Sequence, residues 1–93
     1  MMENRIQEVL DNFNFHKVKK VMDLLNWEWY HPETGSNYIP SIADLYNTAK
    51  NYLTRVVKTK GMIESGGFRA EYFDDYLILS FVVEQWDSEG SEE

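Results

Sequence analysis

Two β-rich runs, Phe68 to Phe73 and Tyr76 to Trp86, are separated only by Asp74 and Asp75, and no other feature restricts the possible folds as much. Aromatic and β-branched residues on either side of a two-residue connection read as an antiparallel hairpin. If Phe73 and Tyr76 flank the turn, strand alternation puts Phe68, Ala70 and Tyr72 on the same face as Leu77, Leu79, Phe81 and Val83. That face is the expected core. The opposite one carries Arg69, Glu71, Phe73, Tyr76, Ile78, Ser80, Val82, Glu84 and Trp86, a mixture of apolar and polar side chains. Asp-Asp is a poorer tight turn than Asn-Gly, so a slip of one residue, which would exchange the faces, stays open.

Upstream the period changes. Ile6, Val9, Leu10 and Phe13 form a helical stripe, and Phe15, Val18, Val21, Met22 and Leu25 form another out of phase with it. Two short helices fit this better than one, with Asn12 and Asn14 at the break, where an asparagine oxygen caps free amides. Asn26 is a plausible stop, Trp27 to Tyr30 reads as a short strand, and His31 to Asn37, with Pro32 and Gly35, reads as an exposed loop. Ser41 followed by Asp44 marks the start of the longest helix. Its buried stripe runs from Ile42 through Leu45, Tyr46, Ala49, Tyr52, Leu53 and Val56 to Val57, with Gly61 as terminator. A loop through Ser65, Gly66 and Gly67 then leads into the hairpin. The expected architecture is a single α+β domain over residues 1–86 in the order α-α-β-α-β-β, its short antiparallel sheet and C-terminal hairpin packed against helices. Residues 87–93 are expected to form a flexible acidic tail.

Composition removes several functional classes. The 93 residues include no cysteine, so disulfides, thiolate metal sites and cysteine nucleophiles are unavailable. The longest apolar stretch falls well short of the roughly 20 residues that span a bilayer, and Met1 to Arg5 lacks the pattern of a secretory signal. A cytoplasmic protein with no membrane partner is therefore expected. A net charge of −7 disfavours direct binding to a phosphate backbone, although Glu84, Asp87, Glu89, Glu92 and Glu93 concentrate much of it at the end of the chain.

No constellation of catalytic or metal-binding residues stands out. His16 and His31 are the only histidines and have no ligand partner at metal-site spacing. Ser65-Gly66-Gly67 opens a strand rather than a helix, so its glycines read as positive-φ turn residues before they read as a phosphate cradle. Asp74 with Asp75, and Glu84 with Asp87, could do acid-base work only if burial separated their pKa values, and both pairs sit where water would screen them. No cofactor is expected.

The aromatic residues are the more informative signal. Trp27, Trp29, Tyr30, Tyr38, Tyr46, Tyr52, Phe73, Tyr76 and Trp86 exceed what one small core readily absorbs, so some are expected at a surface that binds something. The competing account is that a small domain compensates for its size with large side chains. On the second hairpin face, Phe73, Tyr76, Ile78, Val82 and Trp86 would be a large apolar patch for a monomer. The first helix pair, a second copy or a partner protein would cover it, with Arg69, Glu71 and Glu84 as a polar rim.

Across residues 5–86, the runs Phe13-Asn14-Phe15, Met22-Asp23-Leu24-Leu25-Asn26-Trp27-Glu28-Trp29, Pro40-Ser41-Ile42, Ser65-Gly66-Gly67-Phe68 and Phe81-Val82-Val83-Glu84-Gln85-Trp86 resemble small accessory proteins encoded by phages and prophages. That group brings no catalytic or binding residues to carry over. The resemblance implies expression inside a bacterial host, where such products often bind and neutralise a host component, anti-defence roles included. Taken with the residues, it leads to the expectation of a non-enzymatic, self-associating binding module. Its target would be a host protein or a small nucleotide-like ligand, and its candidate surface Trp27, Trp29, Tyr30, Arg69, Tyr76, Val82 and Trp86. The ligand version uses the tryptophans and Tyr30 for stacking, Arg69 for charge and the Ser65 to Gly67 amides. The alternatives are an acidic DNA mimic that blocks a nucleic-acid-binding protein, and a small hydrolase using Asp74, Asp75 or Glu84.

Overall fold

The computed structural model describes residues 2–82. Trp86, the expected continuation of the last strand from Val83 and the acidic tail at 87–93 lie outside the described residues. The elements follow the order α1 (Met2–Asn12), α2 (Phe15–Leu24), β1 (Trp29–His31), β2 (Ser36–Tyr38), α3 (Ile42–Thr59), β3 (Met62–Ser65), β4 (Phe68–Phe73) and β5 (Tyr76–Phe81). The α+β class and the C-terminal hairpin on helices are as expected, and two short strands, β2 and β3, stand where the sequence reads as loop.

The phase break between the first two helices is real. Asn14 caps α2, its side-chain oxygen accepting the Lys17 amide at 3.0 Å. Asn26 ends α2 at a φ of 53°, and the Trp27 amide reaches back to the Met22 carbonyl at 2.9 Å, closing the last turn with asparagine in the left-handed position. At the start of α3 the capping box is reciprocal: the Asp44 amide donates to Ser41 Oγ at 3.1 Å and the Ser41 amide to Asp44 Oδ2 at 2.9 Å. The left-handed residue that ends α3 is Lys60, at φ 54°, rather than Gly61. This conformation sets the Lys60 ammonium over the Tyr72 ring, 5.0 Å from its centroid, while the Gly61 carbonyl accepts the Tyr72 amide.

The three C-terminal strands form an antiparallel meander in the order β3-β4-β5. Phe73 pairs with Tyr76 across a turn in which Asp74 and Asp75 both take positive φ, 52° and 68°, as a mirror-image hairpin turn requires. The unslipped register therefore holds, with Phe68 opposite Phe81 and Ala70 opposite Leu79. A second two-residue turn, Gly66-Gly67, joins β3 to β4.

All three helices contribute to one core. Ile6 and Leu10 from α1, Phe15, Val18 and Met22 from α2, and Leu45, Ala49, Leu53 and Val56 from α3 meet Phe68 and Ala70 of β4. The helices thus lie on the Phe68 side of the sheet, and α1 and α2 do not cover its outer face. There Met62, Phe73, Tyr76 and Ile78 are exposed.

Candidate functional site

The β1-β2 hairpin lies across the end of the sheet, over the β3-β4 turn. Trp29 Nε1–H donates to the Gly66 carbonyl at 3.0 Å, which fixes the indole to that turn. The turn accepts the rings because it has no side chains there. A Cβ on Gly66 would stand 3.1 Å from Trp29 Nε1, and one on Gly67 would stand 2.7 Å from Phe81 Cε1 and 3.0 Å from Trp27 Cζ2. The Trp27 ring packs against Phe81 at 5.3 Å between centroids. Both tryptophans are half-buried and held on their inner sides, so each presents what remains of its ring in a fixed orientation.

Between these rings and α3 lies a cleft of about 420 Å³, within the size range of small-molecule sites. Trp27 and Trp29 form one side. Tyr38, the direct cross-strand partner of Trp29, stands almost perpendicular to it, at 88° and 6.3 Å between centroids. Thr48 and Tyr52, one helical turn apart on α3, supply the facing wall, and Glu28, Tyr30, Ser65 and Gly66 complete the lining. Alternation along β1 turns the Tyr30 ring to the other face of the hairpin, where it is exposed. Among the described residues, the ionisable group in the lining apart from the tyrosines is the acid Glu28.

The expected surface residues that the structure describes do not gather in one place. Trp27 and Trp29 come together at the cleft, and Tyr30 borders it with its ring turned to the other face of the hairpin. Arg69 does not: it lies on the outer sheet face, opposite Glu64 on β3 and Ser80 on β5, with Nε 3.7 Å from Glu71 Oε1. The stacking-plus-Arg69 arrangement expected for a nucleotide is corrected accordingly, since side chains on β4 alternate and Phe68 faces the core, which turns Arg69 away. Tyr76 lies on the same outer face, exposed at the turn end. Val82 follows β5, its amide donating to the Gly67 carbonyl at 2.7 Å, and Trp86 is outside the described residues. Sequence reasoning did not assign Tyr38, Tyr52 or Thr48 to the site. The i, i+4 spacing of Thr48 and Tyr52 was visible, but their meeting with the hairpin is a tertiary event.

Of the carboxylates considered for catalysis, Asp74 and Asp75 form the β4-β5 turn, and Glu84 and Asp87 lie outside the described residues. Asp75 Oδ1 accepts the Tyr72 hydroxyl at 3.1 Å, and its carbonyl accepts the Arg5 guanidinium. That hydrogen bond, with smaller contributions from desolvation and from the Asp75 charge, pushes the Tyr72 hydroxyl above its ordinary pKa of 10.0, while Arg5 opposes the shift. Among the described residues, no group of three or more His, Asp or Glu side chains could hold a metal ion. None of the described helices is long and apolar enough to cross a membrane. Compared with family models, curated proteins and solved structures, the chain matches none.

Proposed function

We propose that this chain is a binding module that sequesters a small ligand against the aromatic rings of the cleft between the β1-β2 hairpin and α3. One observation carries the reading: aromatic rings from separate segments, Trp27, Trp29, Tyr38 and Tyr52, converge on one cavity, and the Trp29 and Tyr38 rings stand at right angles. Two perpendicular aromatic walls offer a ligand stacking on one side and an edge contact on the other. The cleft is also largely pre-formed, because Trp29 is hydrogen-bonded to Gly66 and Trp27 is wedged against Phe81, so ordering the site adds little to the cost of binding.

The outer sheet face supports a second activity, association with another protein surface. Met62, Phe73, Tyr76 and Ile78 are exposed together there, and a homo-oligomer would bury them. That the target belongs to a bacterial host, with the protein acting in the cytoplasm on behalf of a phage, is supported only by the resemblance described above.

Native mass spectrometry of the protein purified from bacterial cells tests the ligand reading. A retained small-molecule mass is expected on the parent protein and not on Trp29→Ala. A bare protein, or a mass held equally by both, counts against the cleft.

A further inference from the structure

We propose that the cleft selects for a small organic cation whose charge is shielded by alkyl groups, of the quaternary ammonium type. The inference rests on the reading of the cleft as a ligand site and adds the sign of the ligand's charge. Aromatic faces carry negative electrostatic potential, and a cation placed over them is attracted most strongly where water is partly excluded. The half-buried rings of Trp27, Trp29, Tyr38 and Tyr52 provide such faces from more than one direction.

The donor pattern points the same way. The indole N–H of Trp29, which would otherwise serve an anion, is already spent on the Gly66 carbonyl. Among the described residues, no lysine, arginine or histidine lines the cleft, and the charged residue that does is Glu28. The Arg69 guanidinium, which a phosphate would need, lies on the outer sheet face. Among the described lining residues nothing offers a nucleotide phosphate a cationic partner.

The test is calorimetric titration with choline, with its uncharged isostere 3,3-dimethylbutan-1-ol, and with adenosine monophosphate as a flat anion. Choline is expected to bind about tenfold more tightly than the isostere, a ratio set by the cation-ring attraction, and the monophosphate more weakly than choline. Tyr38→Leu, which removes one ring at an edge hairpin outside the buried core, should reduce the preference, and Glu28→Gln should weaken choline while leaving the isostere unchanged. Equal binding of choline and the isostere, or preference for the monophosphate, overturns the cation inference and leaves the cleft a ligand site. Absence of binding by all three overturns the inference as well, while the retained mass that depends on Trp29 decides the broader reading separately.

Discussion

Gly67 holds the site and the core in register. At φ +100° it occupies backbone space that side chains rarely enter, and the position of its missing Cβ is already claimed by Phe81 and Trp27. Gly67→Ala is expected to cost about 2–3 kcal/mol in urea unfolding, combining backbone strain with overpacking. A cost under about 0.5 kcal/mol, the range of an ordinary surface change, would contradict that placement. Tyr72 gives a pH signature. Its raised pKa means that the fold favours the protonated hydroxyl, so the stability it contributes is full below about pH 10 and declines as pH rises through the folded-state value. Tyr72→Phe should therefore lose less stability between neutral and strongly alkaline pH than the parent, read as the change in urea midpoint; equal losses would show that the Asp75 contact is inconsequential. At this scale much was legible: the glycines at 66 and 67 announce positive φ, and Asn14 and Ser41 announce helix starts. Lys60 was not, because the preference for glycine at a helix end favours Gly61, whereas the left-handed residue is the lysine, with its ammonium over the Tyr72 ring.

The elements that sequence reading found are those with a long periodic signal. The eighteen residues of α3 carry a continuous apolar stripe, and the β4-β5 hairpin alternates on both strands. By contrast, β2 and β3 are three and four residues long, and β2 reads Ser-Asn-Tyr, a composition that resembles loop. They form because neighbours pair with them: β2 with a strand anchored by Trp29, and β3 with β4 across the Gly66-Gly67 turn. Strands this short draw their stability from pairing and packing rather than from propensity. The outer face of the sheet belongs to this scale too. Tyr76 is 68% exposed, so Tyr76→Glu should leave far-UV circular dichroism unchanged. In sedimentation equilibrium the parent is expected to self-associate and the variant to be monomeric. The same mass for both would show that this face is not where copies meet.

For the molecule as a whole, all three helices pack on one face of the meander, and the β1-β2 hairpin closes the end of the sheet against α3. The cleft exists because of that arrangement. Trp27 and Trp29 precede α3 in the chain, Tyr38 comes from the returning strand, Thr48 and Tyr52 come from the helix, and Ser65 and Gly66 come from a turn beyond it. Sequence reading singled out the tryptophans as a surplus and the glycines as a turn. The expectation joins them to Arg69 for its charge, whereas strand parity places Arg69 on the outer face of the sheet. Contacts between segments this far apart depend on how the layers stack, which residue spacing alone does not encode. The central proposal is that ligand binding takes place at this cleft rather than on the open face of the sheet. The most direct measurement is an NMR titration with choline, following the indole N–H signal of Trp29 and the amide of Gly66 alongside the amides of Phe73, Tyr76 and Ile78. The account predicts saturable shifts at Trp29 and Gly66 with the outer-face amides unmoved; shifts confined to Phe73, Tyr76 and Ile78 would contradict it.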